Sequence, residues 1–220
     1  MQKQINLVEH FDKVRCKDFG KLVLTQGEQP SLMVEADEEL LSELVAEVRG
    51  DTLVLGFVED WFSRFGKVVS SFFDSTDRKV TYYLTVVDLD KLSISGKINL
   101  ECPSFVTKSL TLKISGLGNL TLTHLECDTL DVIISGRADF AAAGRADHQT
   151  VRISGSGDYN AAGLTSQSTR IVISGQGNAN LRVEESLDIT ISGLGQVNYY
   201  GRPKLRQVIS GLGKSKRLNE

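Results

Sequence analysis

Apolar residues recur in the second half of this chain with a period near 20, and within each period they alternate with polar ones. The anchor is the triplet Ile-Ser-Gly, whose serines are Ser95, Ser115, Ser135, Ser154, Ser174, Ser192 and Ser210. The residue before each serine is isoleucine, and the residue three before is Leu92, Leu112, Val132, Val151, Ile171, Ile189 and Gln207. Those two positions are two apart, so on a strand they share a face. Past the glycine the alternation resumes with Leu100, Leu120, Phe140, Tyr159, Ala179 and Val197. Two residues further stand Cys102, Leu122, Ala142, Ala161, Leu181 and Tyr199. Each period therefore predicts two or more short strands around a bend at Ser-Gly-x-Gly, where glycines such as Gly118 and Gly157 allow unusual φ or close backbone packing. Coils of 18 to 20 residues are too short for a helix plus two strands. The expectation is an all-β, right-handed parallel β-helix, each coil burying its apolar side only on its neighbours.

The coils run 92–111, 112–131, 132–150, 151–170, 171–188, 189–206 and a partial 207–220. Stacked about 4.8 Å apart, they bring like residues into ladders. Four past the serine lies a polar row of Asn99, Asn119, Asp139, Asp158, Asn178, Gln196 and Lys214. The last coil loses its apolar pattern and ends in Lys214, Lys216 and Arg217, charges that blunt an open sheet edge.

The first ninety residues have a different rhythm. Segments 21–25 and 31–35 alternate as strands around a turn, and 37–44 reads as one helical turn or loop. A hairpin follows over 45–48 and 52–58, and a strand over 79–86 leads into the repeats. Residues 1–90 are thus expected to form an N-terminal β cap and 91–220 the β-helix, in one continuous domain. One stretch departs from strand spacing. Trp61, Phe62, Phe65, Val68, Val69, Phe72 and Phe73 fall within an arc of roughly 140° on a helical wheel. This predicts a short amphipathic helix near 60–74, either a lid on the stack or a docking face built on Trp61, Phe62, Phe65 and Phe72.

Composition narrows the functional classes. A net charge of −3 over 220 residues, with no basic stripe beyond the short C-terminal cluster, argues against nucleic acid. Cys16, Cys102 and Cys127 read as buried small apolar residues rather than a disulfide framework. The opening residues lack the apolar run of a signal peptide, and no stretch is long enough to span a membrane as a helix.

Several segments resemble a known family. Residues 23–27 (Val-Leu-Thr-Gln-Gly) with 34–38 (Val-Glu-Ala-Asp-Glu) resemble its opening, 89–96 its entry to the repeats, and Ser154-Gly155-Ser156-Gly157-Asp158 its repeat motif. The family is the head GIN domain of bacterial autotransporter-type adhesins. The resemblance covers nearly the whole chain and implies a β-helical, exported protein with an adhesive or envelope role, carrying no catalytic residues to transfer. Extracytoplasmic or cell-surface placement rests on this resemblance alone.

Candidate chemistry is sparse. No Gly-x-Gly continues to the third glycine of a nucleotide cradle, since the needed positions are Thr121 and Asn198. His10, His124 and His148 occupy unrelated coil positions, and no metal-ligand or Ser/His/Asp spacing appears. The expectation is no catalytic residue, no metal and no cofactor, with a polysaccharide-active β-helix as the enzymatic rival. Asp139 and Asp158 stack on adjacent coils, so they are either solvated and flanked by Asn or bridged by a cation. Arg49-Gly50-Asp51 spells an integrin-type tripeptide but reads as a hairpin turn. The binding candidates are Asn119, Asp139, Asp158 and Asn178, with Lys97, Arg137 and Gln176 beside them. Expected partners are a glycan or other surface ligand, or a second copy of the chain in a structural, self-assembling role.

Overall fold

The computed structural model describes residues 1–7, 9–58 and 79–219. Its N-terminal elements are strands β1 (Gln2–Ile5), β2 (Lys13–Cys16), β3 (Phe19–Gln26) and β4 (Ser31–Glu35), helix α1 (Glu38–Glu43), then β5 (Leu44–Arg49), β6 (Thr52–Phe57) and β7 (Thr81–Val86). The repeats follow as β8 (Lys91–Ile94), β9 (Lys97–Cys102), β10 (Phe105–Ile114), β11 (Leu117–Ile134), β12 (Arg137–Ile153), β13 (Tyr159–Ile173) and β14 (Gln176–Ile191). The chain closes with β15 (Leu194–Tyr200), β16 (Lys204–Ile209) and β17 (Lys214–Arg217). The result is a β-solenoid of about six turns with coils near 20 residues and almost no helix. The amphipathic run containing Trp61, Phe62, Phe65 and Phe72 lies outside the described residues.

The repeats pair in parallel, coil on coil, in the register the sequence implies. Ile94, Ile114, Ile134, Ile153, Ile173 and Ile191 stand one above another, each essentially buried. Leu120, Phe140, Tyr159, Ala179 and Val197 form a second inward row. Phe140 and Tyr159 stack face to face there, with ring centroids 4.8 Å apart. The Tyr159 hydroxyl donates to Gln149 Oε1 at 2.7 Å, so the one phenol deep in this row keeps a partner.

Three faces surround the core. The first carries the strand before each Ser-Gly bend, the second the strand after it, and the third the return around Phe105, Leu125 and Leu164. Coil lengths differ, yet the first two faces stay in register because the difference is absorbed at the corners of the third. Pairing shifts between Leu122 and Leu125, between Ala141 and Ala143, and between Ala161 and Ser168, where the spacing changes from 20 to 19, back to 20, and then to 18.

The glycine of Ile-Ser-Gly has a steric cause. A Cβ on Gly136 would lie 1.9 Å from the carbonyl oxygen of Gly116, and one on Gly155 the same distance from that of Gly136. At this bend backbone packs directly on backbone, which leaves no room for any side chain.

The N-terminal end is built differently. Strand β2 pairs in parallel with both β6 and β8, and β3 with both β7 and β9. The coil made by β2 and β3 therefore sits between the one made by β6 and β7 and the first repeat, although β6 and β7 come later in the chain. Cys16 occupies the isoleucine position of this coil, opposite Ile94. Beyond β6 and β7 the parallel rule ends: β5 pairs antiparallel with β6, β4 with β7, and β1 with β4. Helix α1 buries Leu40 and Leu41 against the same end. Strands β2, β3, β6 and β7 thus form irregular coils in register with the repeats, while β1, β4, β5 and α1 form a lid of another kind. Strands β1 and β2 carry too short an apolar alternation to be read from the sequence.

Candidate functional site

The second face presents the polar row that the sequence singled out. Asn119 and Asp139 are paired on adjacent strands, and Asp158 and Asn178 follow on the next two coils, all four side chains exposed. Their oxygens have structural work. Asn99 Oδ1 accepts the Asn119 backbone N–H at 3.1 Å, and Asp139 Oδ1 accepts that of Asp158 at 3.0 Å. Asp158 Oδ1 accepts both the N–H and the Nδ2 of Asn178, and Asn178 Oδ1 accepts the N–H of Gln196 at 3.3 Å. The side chains thus take hydrogen bonds that backbone carbonyls would otherwise take, a local competition Asn and Asp are suited to. The two aspartates are each engaged by donors of the next coil, which offsets the repulsion expected of stacked carboxylates.

Rows on either side complete the face. Two before the polar row stand Lys97, Leu117, Arg137, Ser156, Gln176 and Leu194, with Leu117 and Leu194 45% and 44% exposed. Two past it stand Thr121, Ala141, Asn160, Asn180 and Asn198, a row missed at the sequence level because its asparagines begin only at the fourth repeat. Asn198 Nδ2 donates to Asn180 Oδ1 at 3.0 Å.

The first face differs in charge. Its outward positions bring together Lys13, Arg15, Lys91, Lys113, Arg152, Arg170 and Arg206, with Asp131 and Asp188 among them. The expectation of no basic stripe beyond the C-terminus holds along the chain but not across it, because cations about 20 residues apart become neighbours only when the coils stack.

Other candidates are dispersed. His124 Nε2 lies 3.1 Å from Glu126, and His148 Nδ1 is 2.7 Å from Ser168 Oγ. Among the described residues no three His, Cys, Asp or Glu side chains are grouped to hold a metal ion. Burial pushes the thiols up, to about 12 for Cys16 and Cys127 and about 11 for Cys102. All three are free and buried, so none is placed as a nucleophile. Gly50, at φ 65°, turns the hairpin between β5 and β6, and the Asp51 carboxylate takes Lys13 Nζ, which pulls its pKa below the usual carboxylate range. Arg49-Gly50-Asp51 is accordingly a turn with its aspartate engaged. Among the described residues no helix is long and apolar enough to cross a membrane.

The sequence missed Asp18. It stands at the glycine position of the coil made by β2 and β3, and its Oδ2 accepts the Phe57 backbone N–H. Half-buried, its carboxyl is pushed above the usual range by desolvation, partly opposed by the Phe57 N–H and by Lys17.

Comparison with solved structures places this architecture among bacterial proteins. A putative adhesin from Bacteroides fragilis is 20% identical and superimposes with a TM-score of 0.82, over 99% of this chain and 96% of that one. A putative adhesin from Parabacteroides distasonis is 21% identical, with a TM-score of 0.68 over 99% and 96%. A protein from the same organism named a putative lipid binding protein is 19% identical, with a TM-score of 0.70 over 100% and 96%. At these identities the likeness is one of fold. No curated protein matches the sequence. The family described as putative auto-transporter adhesin, head GIN domain, matches residues 10–203, and the chain belongs to that family.

Proposed function

We propose that the chain is a non-catalytic adhesin-type binding module of the bacterial surface or envelope, and that its second face engages an extended, repeating ligand such as a glycan. The observation that carries this reading is the set of exposed polar rows repeated at the coil spacing, about 4.8 Å, on a scaffold whose side-chain oxygens are already tied to the next coil. Such a face is pre-organised, which lowers the entropy lost on binding. Asn119, Asp139, Asp158 and Asn178 would contribute the atoms not used in the ladder, with Lys97, Arg137, Gln176 and the Asn160, Asn180 and Asn198 row beside them. The family supports an adhesive role and a surface location; the ligand class is this reading's own addition.

A glycan array on the purified chain, read for both retention and cleavage, tests it. Specific retention that weakens in Asn180→Ala and Gln176→Ala supports the module. Cleavage would overturn the non-catalytic reading, and an array without retention would remove the glycan.

A second reading follows from the basic rows of the first face, which suit an anionic lipid surface, and a fold neighbour carries a lipid-binding name. Co-sedimentation with phosphatidylserine vesicles that is lost in Arg152→Glu/Arg170→Glu favours it. Equal recovery with neutral vesicles removes it.

A further inference from the structure

The two ends of the solenoid are complementary. At the C-terminal end β16 pairs with β14, and β17 with β15, and among the described residues neither strand has a partner on its other edge. The inward row of β16 is uncovered, with Leu205 38% and Ile209 37% exposed, and Leu212 of the final bend is 87% exposed. The same end is strongly basic: residues 201–220 hold Arg202, Lys204, Arg206, Lys214, Lys216 and Arg217 against the single acidic side chain of Glu220.

At the other end the same two sheets finish in β5 and β1, each again with one described partner. The inward row of β5, Leu44, Ala46 and Val48, is only partly buried. Here the balance is acidic: Glu35, Asp37, Glu38, Glu39, Glu43 and Glu47 lie on β4, α1, β5 and the link between β4 and α1. Their described counterweights include the terminal amine, Lys3 and Arg49, whose contacts include the Ala36 carbonyl, the Leu41 carbonyl and Glu47 respectively, and Lys17, which lines a cavity with Glu47 and Arg49.

We propose that the occupant of the C-terminal end is the N-terminal end of a second copy of this chain, so that copies stack head to tail and continue both sheets across the junction. Tail-to-tail pairing brings six cations against six and is disfavoured, whereas tail-to-head pairing brings them against the acidic lid and covers Leu205, Ile209 and Leu212. The contact is heterologous, so it propagates rather than stopping at a dimer. This inference stands independently of what the second face binds.

Sedimentation of the full chain over a concentration series tests it. In low salt the average mass should climb without levelling at a dimer, and it should fall back in high salt as the charges are screened. Lys204→Glu/Arg206→Glu and Glu38→Lys/Glu43→Lys should each weaken association on the order of tenfold or more, with unchanged circular dichroism. Mixing the two variants restores opposite charge at every junction and should restore association. A wild-type chain that stays monomeric at every salt and concentration overturns the proposal without recourse to any variant. So does a closed dimer indifferent to both charge reversals, and so does a mixture that stays as dissociated as its parts.

Discussion

From Lys91 onward each coil lies on the next one along the chain; before it the coils do not stack in chain order. Strands β11, β12, β13 and β14 each lie on the next, and one rule, a buried isoleucine followed by a bare bend, is read again in every coil. In the N-terminal region residues 13–26 slip between segments 52–57 and 81–86 on one side and the first repeat on the other. The difference reflects what each region must cover. An inner coil meets the same surface above and below, so one sequence pattern serves for all. An end has core on one side only, and here it closes with antiparallel strands, a six-residue helix and acidic side chains. Repetition propagates a stack, but a different pattern is needed to stop it.

The largest expected effect lies in the rule itself. Gly155→Ala places a methyl 1.9 Å from the Gly136 carbonyl oxygen and 2.4 Å from that of Ser135. Both atoms are backbone of the preceding coil and cannot step aside, so a loss of about 3–5 kcal/mol is expected, read as a drop in urea midpoint. A midpoint close to wild type would mean that the coils can spread at the bend.

Next comes a pair of matched truncations. Ile153→Ala removes a fully buried rung and should cost about 2–5 kcal/mol, whereas Ile209→Ala, at the uncovered end, should cost under about 0.5 kcal/mol in the monomer. Equal losses would erase the distinction between inner coil and open end. Thermal melts at low protein concentration separate the two.

The smallest effect concerns the coil that replaces the bend glycine with Asp18. Its folded carboxyl binds a proton more tightly than the unfolded one. The stability this contributes is present below the ordinary carboxylate pKa and is lost as pH rises through the raised folded value. Asp18→Asn keeps an acceptor for the Phe57 N–H and cannot ionise, so it should melt above wild type at neutral pH, with the gap closing below about pH 4. Asp18→Ala leaves that N–H without its acceptor and should fall below the Asn variant by about 1–3 kcal/mol. A gap between wild type and Asn that persists into acid would assign the effect to packing instead of charge.

The repeats were legible for a plain reason. A residue such as Ile134 or Gly136 obeys the same local constraint as its counterparts one turn away, so the constraint is written seven times at a visible spacing. The polar row containing Asn119, Asp139, Asp158 and Asn178 was legible on the same grounds, and so were the hairpin of β5 and β6 and the helical turn of α1. Cys16 was not, because it fills the isoleucine position without the Ser-Gly that marks it elsewhere. Nor was Asp18, whose role depends on Phe57, 39 residues further along the chain.

By itself, then, the sequence determined the coil, its inward rows and its bend, because these are satisfied between one turn and the next. Only the tertiary structure decided which coil lies outermost, which cations share the first face, and that one end is lidded and acidic while the other is open and basic. Those features join residues with no common period, brought together by the order in which strands stack, and that order is set by the whole sheet at once.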